Sequence, residues 1–192
     1  MNILFLGNSY TYYNDMPKIF EHICREFGHD VSVDSVTHGG YSFEDFLTPG
    51  DEDGELFLRK LKENEYDIVV LQEQSVRPAS SPEKFFSSLR VLVPMIREAG
   101  AEPVLYETWG RRDGHETLEK HSWTHEQMQE KLKESYTNAG KEFGIRVIYA
   151  GEKFHRAYRS ETGDRVFFED GTHPSPLGSV IIALEFFREL VK

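Results

Sequence analysis

Ile3-Leu4-Phe5-Leu6-Gly7-Asn8-Ser9-Tyr10-Thr11 is the stretch whose reading decides the fold. Four apolar residues in succession have the pattern of a short strand buried on both faces. Beyond the glycine, Asn14-Asp15 offers an N-cap, and Ile19, Phe20, Ile23 and Phe27 follow at helical spacing. Ser9 therefore sits in a glycine-led turn where a first strand hands over to a first helix. In an open α/β sheet that edge is where ligands bind. Its backbone N–H groups and the helix N-terminus favour negative charge. A nucleophilic serine needs those conditions. A serine that merely caps the helix fits these residues too, so the rest of the chain has to separate the two readings.

Working outward, the alternation of elements is regular. Gly28 closes the first helix, and Val31 to Val36 reads as a second strand leading into His38-Gly39-Gly40-Tyr41-Ser42. Pro49 to Gly54 reads as a solvated loop and Leu56 to Leu61 as helix. Ile68-Val69-Val70-Leu71 is a clear buried strand with Gln72-Glu73-Gln74-Ser75 at its exit. Ser81-Pro82 opens a helix that Gly100 ends, and Pro103 to Tyr106 makes a fourth strand. A polar helix over Thr124 to Glu142, a fifth strand over Ile145 to Tyr149, a short helix over Lys153 to Tyr158 and an apolar helix over Leu177 to Val191 complete the chain. Five strands alternating with helices predict a parallel five-stranded sheet in a three-layer α/β/α sandwich. No repeat, low-complexity tract or linker divides residues 1–192, so a single domain is expected.

Composition narrows the partners. The formal net charge of −11 argues against nucleic acid or an anionic membrane surface. The one cysteine, Cys24, falls in the first helix and cannot form an internal disulfide. A structural thiol and a cytoplasmic location are the expectation. No run is long enough to span a bilayer.

The chemistry gathers at the strand exits. Near the C-terminus, Glu169-Asp170-Gly171-Thr172-His173-Pro174-Ser175 puts an aspartate three residues before a histidine on one loop. Such a carboxylate can hold imidazole Nδ1, fix the tautomer and support the imidazolium. With Ser9 it supplies the three parts of a Ser-His-Asp system. Donors for an oxyanion come from the Ser9 amide, from Gly40 after the second strand, and from the amide of Gln72 or Gln74 after the third. Strand alternation does not say which glutamine faces the site; the lean is to Gln74, which lies further out.

These blocks resemble those of the SGNH (GDSL-like) hydrolases over the whole chain. Gly7-Asn8-Ser9-Tyr10 is similar to that family's first block, Gly40-Tyr41-Ser42 to its glycine block, and Asp170-Gly171-Thr172-His173-Pro174 to its last block, Asp-x-x-His. The resemblance implies a flavodoxin-like sandwich and esterase chemistry without metal or cofactor. It also implies Ser9 as nucleophile, His173 as base, Asp170 as its orienter, and the Ser9 and Gly40 amides in the oxyanion hole. Two departures stand out. Asn8 replaces the family's aspartate. The third block, Gly-x-Asn-Asp in the family, reads here Leu71-Gln72-Glu73-Gln74-Ser75, as in branches acting on carbohydrate esters that carry a glutamine.

Other features of the chain carry competing readings. His121 and His125 lie four apart with His115 upstream, a spacing seen in zinc sites but without a matched carboxylate or cysteine; a solvated helix face is the expectation. Residues 109–123 carry two tryptophans and Arg111-Arg112, a lid or a sugar platform with Trp109 against the substrate, or else a surface loop with one packed tryptophan. Tyr10, Tyr12 and Tyr13 flank the serine as candidates to line the pocket; Tyr10 is expected to touch substrate, with at least one of the three in the core. The expected activity is hydrolysis of a small acyl ester, foremost an O-acetyl group on a carbohydrate. The alternatives are a degenerate glycan- or ligand-binding module on the same fold, and a flavodoxin-type phosphate cradle. The last leaves the Asp170–His173 pair without a purpose.

Overall fold

The computed structural model describes residues 1–191. Five strands, β1 (Asn2–Gly7), β2 (Ser32–Thr37), β3 (Ile68–Leu71), β4 (Glu102–Tyr106) and β5 (Arg146–Ile148), form one sheet in the order β2-β1-β3-β4-β5. Every pair is parallel. The helices are α1 (Ser9–Tyr12), α2 (Met16–Glu26), α3 (Phe43–Phe46), α4 (Glu52–Glu63), α5 (Arg77–Ser80), α6 (Pro82–Glu98), α7 (Glu116–His121), α8 (His125–Phe143), α9 (Ala150–Tyr158) and α10 (Pro176–Leu190).

The apolar runs of the strands follow from the layering. Ile3, Phe5, Val70 and Val104 point to one face, where α2, α9 and α10 bring Phe20, Phe154 and Phe186. Leu4, Leu6, Val69, Leu71 and Leu105 point to the other, against Phe57 of α4, Phe85 and Leu89 of α6, and Leu132 of α8. A strand covered on both faces has no solvent side on which to alternate. The result is the expected flavodoxin-like three-layer sandwich. Cys24 is buried on the first of these faces. Among the described residues no helix is long and apolar enough to cross a membrane. Because β1 has β2 on one side and β3 on the other, its C-terminal end opens at the point where the strand order reverses.

Locally the structure adds to the expectations and changes some. A separate turn, α1, ends at Tyr12, and Asn14 and Asp15 both take φ +55 before α2 begins where Asn14-Asp15 predicted its N-cap. Asparagine and aspartate tolerate this left-handed conformation better than most residues. Asp15 stands at the N-cap of α2 without a side-chain bond. Asn14 instead reaches across the molecule to the Pro174 carbonyl (3.0 Å) and Ser179 Oγ (2.9 Å). The supposed loop Pro49–Gly54 is half helix, because Asp51 caps Gly54 N–H (2.7 Å) and three acidic residues favour the N-terminus of α4. In residues 109–123 the packed-tryptophan alternative holds for Trp109, which lies wholly in the core, and α7 covers part of the span.

Candidate active site

Gly7 ends β1 where nothing larger fits. A Cβ there would come within 2.6 Å of Thr11 Oγ1 and 2.7 Å of Gln72 Oε1. Asn8 then turns the chain, its Oδ1 accepting Tyr10 N–H (3.1 Å) and its Nδ2 donating to the Tyr41 carbonyl (2.7 Å). Asparagine supplies both a donor and an acceptor at this turn. Gln72 lies underneath. Its Oε1 accepts the Asn8 N–H and the Thr11 hydroxyl, each at 2.9 Å, and its Nε2 donates to the Glu73 carbonyl. With its Oε1 doubly engaged, its Nε2 turned to the Glu73 carbonyl and 1% of its surface exposed, Gln72 braces the serine turn from below and is not part of the cleft lining. The expectation that it is an oxyanion donor is corrected accordingly.

The second half of the site is the loop after the short 3₁₀ turn Gly163–Val166. Phe168 N–H bonds the His173 carbonyl (2.8 Å), folding the loop back on itself, and Gly171 supplies the φ of +66 that the reversal needs. Asp170 Oδ1 accepts the backbone N–H of Thr172 and His173, and its Oδ2 lies 2.6 Å from His173 Nδ1. His173 Nε2 lies 2.8 Å from Ser9 Oγ. Partial burial pushes the Asp170 carboxyl up. The bonds from the His173 ring and the two amides outweigh it and hold the group below its ordinary value. Tyr13 stacks on the imidazole at 4.0 Å, 9° from parallel.

Trp109, expected as a sugar platform, is fully buried between Tyr10 (4.4 Å) and Phe154 (4.3 Å). Its Nε1 donates to the Thr172 carbonyl (3.1 Å), so it anchors the histidine loop from inside and touches no substrate. Two aromatic neighbours leave a residue of this size better placed in the core than over a sugar. Tyr10 forms part of the cleft wall, with 2% of its surface exposed.

The cleft above Ser9 has a volume of about 440 Å³ and is open on one side; Gly40, Tyr12, Tyr13, Gln74, Arg111 and His173 line it. Gly40, with φ +79, stands in the cleft lining. The Ser9 and Gly40 amides donate to nothing within the described residues. Gln74 Oε1 accepts Val76 N–H (2.9 Å) and Arg77 N–H (3.0 Å), which leaves Nε2 as a donor without a protein acceptor. Beside it, Glu73 is buried. Its Oε1 takes the N–H of Phe43 (3.0 Å) and Gln74 (2.6 Å), and Oε2 has no partner. Burial pushes this carboxyl up to about 7.

Tyr12 and Tyr13 line the cleft as the sequence suggested. What escaped it are particular contacts between distant segments: the stacking of Tyr13 on His173, the bond of Asn14 to the Pro174 carbonyl, and the entry of Arg111 into the cleft wall. The histidines weighed for metal disperse instead: His115 Nε2 meets Thr172 Oγ1 (2.8 Å), His121 stacks on Trp123, and His125 Nε2 meets His155 Nδ1 (2.8 Å).

No protein-family model and no curated protein matches the chain by sequence. Solved structures do. A protein from Slackia heliotrinireducens assigned to the SGNH hydrolases is 32% identical, over 98% of this chain and 97% of that one, with a TM-score of 0.87. A DUF4886 family protein from Bacteroides uniformis is 18% identical over 100% of this chain and 83% of its own, with a TM-score of 0.86. The fold recurs in an acetyl-xylooligosaccharide esterase from Geobacillus, 15% identical over 100% of this chain and 94% of that one, with a TM-score of 0.69. Similarity to the Slackia protein at that identity and over nearly all of both chains carries the assignment: this chain belongs to the SGNH hydrolases.

Proposed function

We propose that the protein is a serine esterase for a small acyl ester, foremost an O-acetyl group on a carbohydrate, working through an acyl-serine intermediate. The observation that carries this reading is the continuous chain Ser9 Oγ, His173 Nε2, His173 Nδ1, Asp170 Oδ2, with steps of 2.8 and 2.6 Å, at the floor of an open cleft. Ser9 attacks the ester carbonyl while His173 Nε2 takes its proton; Asp170 keeps Nδ1 protonated and stabilises the imidazolium. Charge on the carbonyl oxygen is met by the Ser9 and Gly40 amides and by Gln74 Nε2. His173 then gives its proton to the leaving alcohol. In the second half it deprotonates water, which attacks the acyl carbon and frees Ser9.

An open cleft of about 440 Å³ walled by Tyr10, Tyr12 and Tyr13 suits a short acyl group and a sugar face better than a long alkyl chain. The acetyl-xylooligosaccharide esterase among the structural neighbours is consistent with that substrate class and says no more than that, its likeness being one of fold. The test is turnover on acetylated sugars and on short- and long-chain 4-nitrophenyl esters. Preference for acetyl esters, lost in Ser9→Ala, is expected. Binding of a sugar with no turnover of any ester would replace the enzyme with a binding module.

A further inference from the structure

Arg111 is placed and solvated unlike any other basic residue near the site. The backbone that carries it is pinned to α8: Gly110 N–H bonds Gln129 Oε1 (2.9 Å), and the Arg111 carbonyl meets His125 Nδ1 (2.7 Å). Gly110 permits this, since a Cβ would lie 2.9 Å from the His125 carbonyl. From that anchor the side chain enters the wall of the catalytic cleft, with 7% of the residue exposed. Its guanidinium carbon stands 5.3 Å from the centre of the Tyr10 ring, and Nη2 donates to Ser75 Oγ (2.9 Å). Nε and Nη1 are buried and have no partner.

No carboxylate lies within ion-pairing distance of Arg111 among the described residues, although the chain carries 33 acidic side chains. Asp170 acts on it only from further away. Among the residues lining the cleft, Arg111 is the one permanent charge, and none is acidic. Burial lowers its pKa to about 10, which leaves it a cation at neutral pH. A buried guanidinium with unpaired N–H groups is costly unless something completes it. The oxyanion does not need it, since that charge already has two amides and Gln74.

Resting on the esterase reading above, we propose that Arg111 selects substrates bearing a carboxylate close to the scissile ester. The carboxylate belongs to a half-ester of a dicarboxylic acid or to an O-acylated acidic sugar. Guanidinium and carboxylate form charge-assisted bonds, strong where water is excluded. Nε and Nη1 are closed to solvent in the free protein, so engagement includes a turn of the guanidinium toward the cleft.

Two matched pairs test this. In the first, 4-nitrophenyl hemisuccinate is compared with its methyl ester; in the second, an O-acetylated methyl glucuronoside with its uronate methyl ester. In the wild type, kcat/KM favours the acid of at least one pair by about 10-fold or more, chiefly through KM, and which pair responds identifies the source of the carboxylate. Arg111→Met erases that preference as a ratio, whatever happens to the absolute rates, and Arg111→Lys keeps part of it. Equal or reversed preference in both wild-type pairs overturns the proposal, even if Arg111→Met does not fold. So does a preference that survives in a folded Arg111→Met. Calorimetry of Ser9→Ala with succinate and glucuronate separates the two readings. Binding that Arg111→Met in the same background abolishes supports the carboxylate site even if no ester is turned over. Turnover without carboxylate preference keeps the esterase and removes the site.

Discussion

The two halves of the site are built differently. The Ser9 turn is part of the core: Gly7, Asn8 and Thr11 close on a buried Gln72, and β1 is an interior strand with a neighbour on each side. The His173 loop lies at the surface and is tied down by individual bonds. The Asp170 side chain is 38% exposed, and the loop is held by Trp109 Nε1 on Thr172, by Asn14 on Pro174, and by its own hairpin bond from Phe168 to His173. The nucleophile is thus fixed by packing that the whole sheet shares. The base is fixed by a few bonds that local opening can break. Damage to the first half should appear as lost stability, and damage to the second as lost rate in a protein that still folds.

The largest effect is expected in the loop. His173→Ala should lower kcat/KM by ~10⁴-fold or more, and Asp170→Asn by a comparable or smaller factor, with the thermal midpoint almost unmoved. Steady-state kinetics beside a melting curve checks this. A large fall in midpoint for His173→Ala would mean the loop is as integral to the fold as the turn.

The two glutamines sharpen the contrast within one short stretch. Gln74→Ala should lower kcat by about 10²–10³-fold with little change in KM, as for a donor used mainly in the transition state. Gln72→Ala should cost stability instead, about 1–3 kcal/mol for each buried donor it strands at Asn8 and Thr11. Denaturant titration and kinetics on both variants tell these apart. The account of the third block fails if Gln72→Ala is as stable as the wild type, or if Gln74→Ala keeps kcat within about threefold.

Glu73 offers a smaller, pH-dependent effect. Its folded value near 7 lies above the ordinary carboxyl value, so the folded state binds the extra proton between the two. Its favourable share of stability is complete below the ordinary value and is lost as pH rises through about 7. Glu73→Gln keeps an acceptor for Phe43 and Gln74 without the charge. The variant's melting temperature relative to wild type should therefore climb from pH 5 to pH 8, by an amount on the order of 3 kcal/mol in stability. A difference that stays flat with pH would mean the carboxyl is not strained by its burial.

Hydrogen exchange gives the gentlest test. The amides of Thr172 and His173 should exchange faster than those of Asn8 and Thr11. The reverse order would erase the distinction between the two halves.

The same distinction explains what could be read in the sequence. Strands buried on both faces announce themselves as unbroken apolar runs, and β3 falls where Ile68 to Leu71 said it would. Ser9, Asp170 and His173 were legible because two short local patterns carry them, and the structure brings them together as those patterns implied. Gln72 and Gln74 were not separable, because at a strand exit the alternation of side chains is set by what the next turn bonds to. Trp109 and Arg111 sit in the same polar stretch, and each was decided by distant partners: Tyr10 and Phe154 for one, Ser75 for the other. The helix start at Asn14-Asp15 was legible as a cap, but the bonds of the Asn14 side chain to Pro174 and Ser179 on the far end of the chain were hidden for the same reason.

The central claim is that Ser9 is a nucleophile activated by His173, and labelling with a fluorophosphonate followed by peptide mapping tests it most directly. The account predicts stoichiometric modification of Ser9 in the wild type, slowed by orders of magnitude in folded His173→Ala. Modification at another serine, or none in a folded wild-type protein, would contradict it.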